Sequence, residues 1–383
     1  MTKPTTDHAS ERGAVLLHVA LALLALMAFS TFVVDYGVLW TARRQAQNAA
    51  DAAAMSGAVS LAFDPSSTPF ATSAPAYQAA YQVVMSHGVW GQQPANSITF
   101  PDDCPTAGVR ECVQVDVYRD SAHNNPLPMI FGQLVGLSTQ GVRAQARARA
   151  AAANAGDCVK PFGVPDFYSP DLASYSAPGY TVESHLGQSI LLKGGPGSQL
   201  GSGWFRLLDL DGSATGGTGG PSGTNAQILA CISNSIGVGE NLVDQNGNIG
   251  NNVSRMVNEL YDLDPGARFD SATGRVINSC ADSGTCQKFV YTGNGNQTAL
   301  VPDPTRTYSP RILLIPVFDP LLYSTTGAIR VVNILGFFIE QQMAGPPNFD
   351  LRGTLVNQPG VLKPGAGSIP SAAAFVKVIN LIK

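Results

Sequence analysis

Residues 13–34 read GAVLLHVALALLALMAFSTFVV, a run of about 22 residues that carries no formal charge. A helix of this length crosses the ~30 Å hydrocarbon core of a bilayer. Arg12 precedes the run and Asp35 follows it, so charges mark both ends. The stretch from Gly13 to Val34 therefore predicts a membrane-spanning helix. It exceeds the ~7–15 apolar residues of a signal peptide, which favours an anchor that is retained.

The helix is expected to continue beyond the membrane. The next residues are DYGVLWTARRQAQNAADAAAMSGAV (35–59), and no proline follows until Pro65. We predict one helix from Ala14 to about Phe63, roughly 75 Å long at 1.5 Å per residue. Small residues recur in its second half at helical spacing, which would let another helix or a sheet approach closely, although alanine propensity alone explains the same pattern. These residues are Ala46, Ala49, Ala50, Ala53 and Ala54.

The composition favours a loop-rich and β-rich body behind this helix. The chain has 383 residues, of which 13% are charged, with 40 glycines and 26 prolines. Its net charge of -4 gives nucleic-acid binding no support. The length allows a membrane anchor with one or two domains of ordinary size.

Six cysteines all follow the apolar run, and an even number on one side of a membrane is typical of export into an oxidising space. Six cysteines allow 15 pairings, with buried free thiols as the alternative. The short-range pairs are favoured, which leaves one long-range pair. The predicted disulfides are Cys104–Cys112, Cys280–Cys286 and Cys158–Cys231.

The charges near the run do not decide its orientation. Lys3 and Arg12 lie on one side, and Arg43 and Arg44 lie on the other. Because the positive-inside rule is balanced, orientation rests on the cysteines and on the size of the C-terminal part. We expect the N-terminus in the cytoplasm and the C-terminal part outside.

Patterning predicts the elements that follow the helix. Residues 141–150 are ambiguous, because alanine favours a helix while alternation with Arg143, Gln145, Arg147 and Arg149 favours a strand, and we assign a strand. Its basic face would meet an acidic partner or lipid headgroups, or would be solvated. Gly/Asn-rich turns are predicted at 212–223 and 244–252. The predicted helices are 77–85, 127–137 and 253–261, and the predicted strands are 97–100, 112–118, 188–192, 204–210, 311–318, 328–341 and the tail 373–382.

Together these features predict an α+β protein with a long N-terminal transmembrane and stalk helix, a small α/β region and a β-rich, disulfide-containing exported domain. The predicted segments are a cytoplasmic tail (1–12), a transmembrane helix (13–34), a helical stalk (35–63), a small α+β region (64–155) and an exported β-rich domain (156–383).

Ordered polar positions around the apolar run carry a family resemblance. Arg-Gly-Ala precedes the run, Val34-Asp35-Tyr36-Gly37 ends it, and Arg43-Arg44 and the segment QNAADAAA (47–54) follow. This pattern resembles the N-terminal region of TadG-like proteins of the tight-adherence (Flp) pilus system. Later segments are similar to the same group: CVKPFGVPD (158–166), GWFRLLDLDG (203–212) and RILLIPVFDP (311–320).

The resemblance implies a structural subunit of a pilus-assembly or secretion apparatus, in which the small α/β region is pilin-like. It implies a single-pass protein of the bacterial inner membrane, with its C-terminal domain in the periplasm or outside. Its partners would be other pilus-assembly proteins, or a second copy through the helical stalk. No catalysis, cofactor, metal or nucleic acid is implied. The motif positions of the stalk are Asp35, Arg43, Arg44, Asn48 and Asp51.

Two motif residues allow sharper interpretations. Pilin-type cleavage after Gly13 would place His18 at the fifth mature position, where such pilins usually carry Glu. A neutral His cannot supply that charge, which favours a permanently anchored subunit. Asp35 would either form an ion pair with Arg43 or Arg44 of a neighbouring chain, or simply mark the membrane boundary.

Signals for other chemistry are weak. Asp211–Thr215 (DGSAT) offers hydroxyl and carboxylate oxygens for a cation, but a glycine-rich turn follows where a helix would be needed. Residues 244–248 resemble half of a calcium loop and predict an Asn/Gly turn instead. The alternatives are a tethered module that binds glycan or metal, and an envelope hydrolase that uses Ser198 or Ser202.

Overall fold

The structure is a computed structural model of the chain, and its described residues fall into two compact units. Unit 1 contains the long helix as far as Ala58, residues 70–149 and the end of the chain, and unit 2 contains residues 59–69 and 150–380. The described residues are 9–64, 70–105, 107–167, 172–193, 204–210, 227–231, 235–245, 250–291, 297–344 and 350–382.

The first helix, α1, is continuous over Ala9–Phe63. Its 55 residues would extend roughly 80 Å. The predicted single helix is confirmed, and it begins five residues earlier than predicted, so residues 9–12 of the predicted tail are helical. Helix propensity is consistent with this extension, because Ala9, Glu11 and Arg12 are good helix formers.

Unit 1 adds a second helix and three antiparallel strands that neighbour one another in the order β1-β4-β7, as part of a five-stranded sheet. The helix and the two strands predicted for 77–85, 97–100 and 112–118 are confirmed. The elements are α2 (Pro75–Ser86), β1 (Ala95–Thr99), β2 (Asp103–Cys104), β3 (Val109–Arg110), β4 (Cys112–Arg119), β5 (Leu127–Pro128), β6 (Thr139–Gln140) and β7 (Val142–Ala152), with short 3₁₀ turns at Ser121–His123 and Gly132–Val135.

Strand β7 confirms the strand assignment for 141–150. Its side chains alternate between buried alanines and outward-facing Arg or Gln, as a period of two requires. In the register with β4, Val113, Val115 and Val117 lie opposite Ala148, Ala146 and Ala144. These residues form one apolar face of the sheet, and all six are buried.

The alanine face of α1 is buried in the same unit. Gly57 shows how close the packing is, because a Cβ there would lie 2.9 Å from Val113 Cγ1 and 3.1 Å from Ala80 Cβ of α2. The prediction that small residues permit a close approach is therefore correct, and the approaching surface belongs to the same chain. The alanines with no exposed surface are Ala42, Ala46, Ala49, Ala50, Ala53, Ala54 and Ala58.

The helix predicted for 127–137 is wrong. The segment forms the two-residue strand β5, a 3₁₀ turn at Gly132–Val135 and a chain that returns to β6. Pro128 disfavours helical backbone at Leu127, and Gly136 takes a positive φ of 82°. We call residues 129–137 the boundary loop.

Unit 2 is built on a seven-stranded sheet in the order β10-β20-β19-β13-β11-β9-β18, mostly antiparallel. Strands β18 and β19 also pair, so that β19, β13, β11, β9 and β18 close into a ring. The helices are α3 (Val182–His185), α4 (Gly250–Asp262), α5 (Cys280–Ser283) and α6 (Pro320–Thr326), with 3₁₀ turns at Leu172–Ser174 and Ser371–Ala373. The strands are β8 (Ala155–Gly156), β9 (Phe162–Pro165), β10 (Ser189–Lys193), β11 (Arg206–Asp209), β12 (Ile236–Gly237), β13 (Asn241–Asp244), β14 (Arg268–Asp270), β15 (Arg275–Ile277), β16 (Gln287–Tyr291), β17 (Gln297–Pro302), β18 (Ile312–Phe318), β19 (Ile329–Ile339), β20 (Leu351–Val356), β21 (Gln358–Pro359) and β22 (Val376–Ile382).

The β-rich character predicted for this part of the chain is confirmed. Strands β10, β11, β18, β19 and β22 fall on predicted strands, and α4 falls on the predicted helix. The turn predicted for 212–223 lies outside the described residues. The bounds predicted for the turn at 244–252 are too wide, because Asp244 ends β13 and residues 250–252 begin α4, while residues 246–249 lie outside the described residues.

Three disulfides join the six cysteines as predicted. Cys104–Cys112 lies in unit 1, while Cys158–Cys231 and Cys280–Cys286 lie in unit 2. The long-range pair links residues 73 positions apart, whereas the short pairs link residues 8 and 6 positions apart.

Candidate functional site: the end of the apolar span

Helix α1 has two surfaces of opposite character. Its first part presents exposed apolar side chains, and Leu16, Phe29 and Phe32 keep 66–75% of their surface. This stretch is the one helix in the described part of the chain that is long and apolar enough to cross a membrane. Beyond Asp35 the alanine face is buried, so the helix passes from an uncovered surface into a protein core. The change occurs at the predicted boundary residue.

Asp35 clamps the boundary loop to α1. The backbone N–H groups of Ile130, Phe131 and Gly132 donate to its carboxylate over 2.8, 3.1 and 2.6 Å. Gly132 is the first residue of the 3₁₀ turn at Gly132–Val135, Phe131 is its N-cap residue and Ile130 precedes it. A carboxylate that accepts the first N–H groups of a helical turn is the usual arrangement of a helix cap. Here the cap comes from a residue about 95 positions earlier in the chain.

The environment of Asp35 favours its charged form. Burial opposes ionisation, but the N–H groups of Ile130, Phe131 and Gly132 outweigh it and lower the pKa of the carboxyl below 3.8. Asp35 is therefore a carboxylate at neutral pH. The sequence interpretations of Asp35 did not include this contact, in which backbone groups of the same chain donate to the carboxylate.

Gly132 allows the loop to approach this closely. A Cβ at this position would lie 2.6 Å from the carbonyl oxygen of Leu137 and 3.3 Å from Asp35 Oδ2. The first distance is too short for any real Cβ contact, so the turn needs glycine. No periodicity in the sequence indicates this requirement.

The other predicted stalk residues do not gather around Asp35. Arg43, Arg44 and Asn48 are exposed, and the Arg44 guanidinium lies 5.4 Å from the centre of the Trp40 ring. Asp51 accepts from Gln47 Nε2 at 2.8 Å, and the same amide reaches the carbonyl oxygen of Gln145 in β7 at 3.1 Å. The motif thus divides into a boundary clamp, an exposed basic pair and residues that tie the stalk to the sheet. The ends of the predicted span, Gly13 and Val34, both lie within α1.

The basic face of β7 is largely neutralised within unit 1. Asp116 accepts from Arg143 at 2.8 Å and from Gln145 at 3.0 Å, and Arg149 pairs with Glu111 at 2.9 Å. Burial opposes the charge of Asp116, but these donors outweigh it and lower its pKa. The expected acidic partner of this face is therefore supplied, in large part, by the same sheet.

Unit 2 contains buried cations that sequence patterns do not reveal. Arg311 is 1% exposed and donates to the carbonyl oxygens of Asp264, Ala267, Ile339 and Glu340, which is a structural arrangement. Lys160 lies at a cavity of about 200 Å³ and donates to the carbonyl oxygen of Ala230 at 2.6 Å. Burial, reinforced by Arg306, lowers the pKa of Lys160 to about 7.

Most residues behind the weak signals for other chemistry lie outside the described part of the chain. Residues 211–215, Ser198 and Ser202 lie outside the described residues. Asp244 faces Arg206 at 3.3 Å, and His185 Nδ1 accepts from the backbone N–H of Thr181 at 3.0 Å. Within the described residues, no group of three or more His, Cys, Asp or Glu side chains could hold a metal ion.

Comparison with known proteins identifies a family match in the N-terminal segment. Residues 13–60 match the family model described as putative Flp pilus-assembly TadE/G-like. No curated protein and no solved structure matches the chain. The matched residues run from the predicted start of the apolar span to the last turn of the stalk, and they include Asp35 and the basic pair. Residues 13–60 of this chain are therefore a TadE/G-like domain of the Flp pilus-assembly family.

Proposed function

We propose that the chain is a membrane-anchored structural subunit of a Tad/Flp-type pilus-assembly or secretion apparatus. It acts through protein–protein contacts and carries out no catalysis. The family match over residues 13–60 supports a role in pilus assembly. The scaffold role rests on one structural observation: a single unbroken helix supplies both the apolar span and the spine of the folded unit.

The continuity of α1 favours a structural role over a role as a simple tether. A tether only needs to keep a domain near the membrane, and a flexible linker achieves this. Here, fully buried alanines begin at Ala42, seven residues after Asp35. The orientation of the span therefore sets the orientation of unit 1, so a force or a contact on one is transmitted to the other.

The proposed location is the bacterial inner membrane, with the C-terminal part in the periplasm or outside. Three disulfides support this orientation, because they persist in oxidising compartments. The proposed partners are other pilus-assembly proteins. A homo-oligomer through the stalk would need a surface other than the alanine face, which is already covered within the chain.

Release of the body from the membrane tests the proposal. Residues 1–34 are replaced by a cleavable signal peptide, and pili are counted in cells that lack the native chain. We expect the exported body to form its disulfides and yet fail to restore piliation. Full piliation by the released body would overturn the scaffold role, because attachment of the body to the membrane would then be dispensable.

A further inference from the structure

The boundary loop presents an apolar surface beside the membrane span. Ile130 and Leu137 keep 53% and 52% of their surface, and Phe131 keeps 37%. Residues 129–137 (MIFGQLVGL) contain no charged side chain. Exposed apolar side chains clustered in this way are costly in water and usually mark a contact surface.

The loop and the helix also enclose an apolar groove of about 760 Å³. Leu24, Met27 and Phe32 line it from the helix, and Met129, Phe131 and Leu137 line it from the loop. The polar side chains that line it are Asp35, Tyr36 and Gln140, and the carboxylate of Asp35 already accepts three backbone N–H groups. The groove therefore offers few polar groups that could recognise a protein partner.

We propose that the boundary loop is a second membrane contact, which inserts Ile130, Phe131 and Leu137 into the bilayer leaflet where the span ends, so that phospholipid acyl chains fill the groove. The proposal rests on the membrane span proposed above and goes beyond it, since the family match ends at residue 60. The loop lies about 70 residues further along the chain.

The depth of the groove identifies its occupant. Asp35 is the first residue after the span and fixes the height of the loop. From there the groove reaches Leu24, which is 11 residues, or roughly 16 Å, deeper along the helix. If the span crosses a hydrocarbon core of ~30 Å, this wall of the groove lies inside it, where acyl chains are the surrounding medium.

The residues above the loop suit a membrane interface. Tyr36 and Trp40 are exposed by 56% and 53%, and aromatic side chains of this type concentrate at the headgroup level. Arg43 and Arg44 follow within about two turns and are exposed. Their charges would meet lipid phosphates while their apolar stems remain near the interface. Apolar loop, aromatic residues and basic residues thus occur in the order in which a bilayer interface is crossed.

Depth-dependent quenching tests the contact. The full chain is reconstituted in vesicles of phosphatidylethanolamine and phosphatidylglycerol that contain a nitroxide-labelled lipid. A genetically encoded fluorescent amino acid replaces Ile130 or Leu137, positions where little packing is lost. Leu24 in the span serves as the positive reference, and Gln93, which is exposed in the same unit, serves as the negative reference.

We expect labels at 130 and 137 to lose most of their fluorescence, as the label at 24 does, while the label at 93 keeps it. If 24 is quenched but 130 and 137 behave like 93, the loop proposal is wrong and the anchor remains. If 24 is also unquenched, the anchor itself fails. In native membranes, labels at 130 and 137 that are shielded from aqueous iodide and yet unquenched by the lipid would mean that protein covers the loop, which also overturns the proposal.

Discussion

At the scale of single residues, Asp35 makes a contact between two distant parts of the chain. Its carboxylate joins the end of the span to a loop about 95 residues away, through three backbone donors. The sequence indicates that a charge ends the span, but it does not indicate this partner, because backbone N–H groups have no sequence signature. The sequence also does not indicate that position 132 requires glycine, although a side chain there would collide with the carbonyl oxygen of Leu137.

The Asp35 contact predicts a pH dependence. Its pKa is lowered in the folded state, so the charged form stabilises the loop fully above the unfolded value of 3.8. This stabilisation is lost only as the pH falls through the folded pKa, which lies below 3.8. We expect NMR shifts of the Ile130, Phe131 and Gly132 amides to titrate together with a midpoint below 3.8. A shared midpoint at or above 3.8 would contradict the clamp.

An Asp35→Ala variant provides the control for that titration. It should remove the low-pH transition and accelerate amide hydrogen exchange at residues 130–132. Exchange at Val115 and Val117 in β4 should stay unchanged, because these residues belong to the core of the sheet. Equal acceleration in the loop and in β4 would mean that Asp35 supports the whole unit.

At the level of elements, helix α1 is continuous, but its first part is exposed and its second part is packed in a protein core. The space around two of its glycines, Gly37 and Gly57, shows this difference. A Cβ added at Gly37 would meet no atom within 4 Å, whereas a Cβ at Gly57 would lie 2.9 Å from Val113 Cγ1 and 3.2 Å from the carbonyl oxygen of Ala76. The same substitution should therefore have opposite effects twenty residues apart.

Alanine at these two positions makes the comparison quantitative. Gly37→Ala should stabilise the full chain by about 0.5–1 kcal/mol, because alanine is the better helix former. Gly57→Ala gains the same propensity but overpacks the contact with β4 and α2, which costs about 1–3 kcal/mol, so we expect a net loss. Denaturant unfolding of unit 1 in detergent measures both. Stabilisation by Gly57→Ala would mean that the helix does not pack closely on the sheet.

The elements differ in how far their sequence predicts them. Strand β7 was predictable because Arg and Gln alternate with alanine at a period that only a strand places on separate faces. The boundary loop was not, because its apolar run resembles a short helix. Its N–H groups donate to Asp35 instead of to carbonyls of a preceding turn, which is a tertiary contact that local patterns do not encode.

At the scale of the full chain, the three disulfides are covalent crosslinks that constrain the unfolded state. In the described structure they join all six cysteines, and their loops differ greatly in length. Loop-closure entropy grows with the logarithm of loop length, so the long pair should constrain the unfolded chain most. Two pairs lie in unit 2, which allows a matched comparison.

Serine replacements test this ordering. Removal of Cys158–Cys231 opens a loop of 73 residues and should cost about 4 kcal/mol. Removal of Cys280–Cys286, a loop of 6 residues, should cost about 2 kcal/mol. Denaturant unfolding of unit 2 in the full chain gives both values. Equal losses, or a larger loss for the short pair, would contradict the assignment of the long pair as the principal crosslink.

The proposed scaffold role requires that the span and the folded unit act as one continuous helix. A flexible Gly/Ser insertion between Val34 and Asp35 breaks this continuity while it keeps the anchor and the clamp. A helix-forming insertion of about seven residues adds the same number of residues but keeps the helix continuous. Because seven residues are close to two turns, the rotational orientation of the stalk relative to the span is nearly unchanged. Both variants are compared at matched protein level, membrane fractionation and disulfide content.

Pilus number in cells that lack the native chain is the deciding measurement. We predict that the flexible insertion abolishes piliation and that the helical insertion retains a substantial part of it. Full piliation with the flexible insertion would contradict the scaffold role, because the helix would then be no more than a tether.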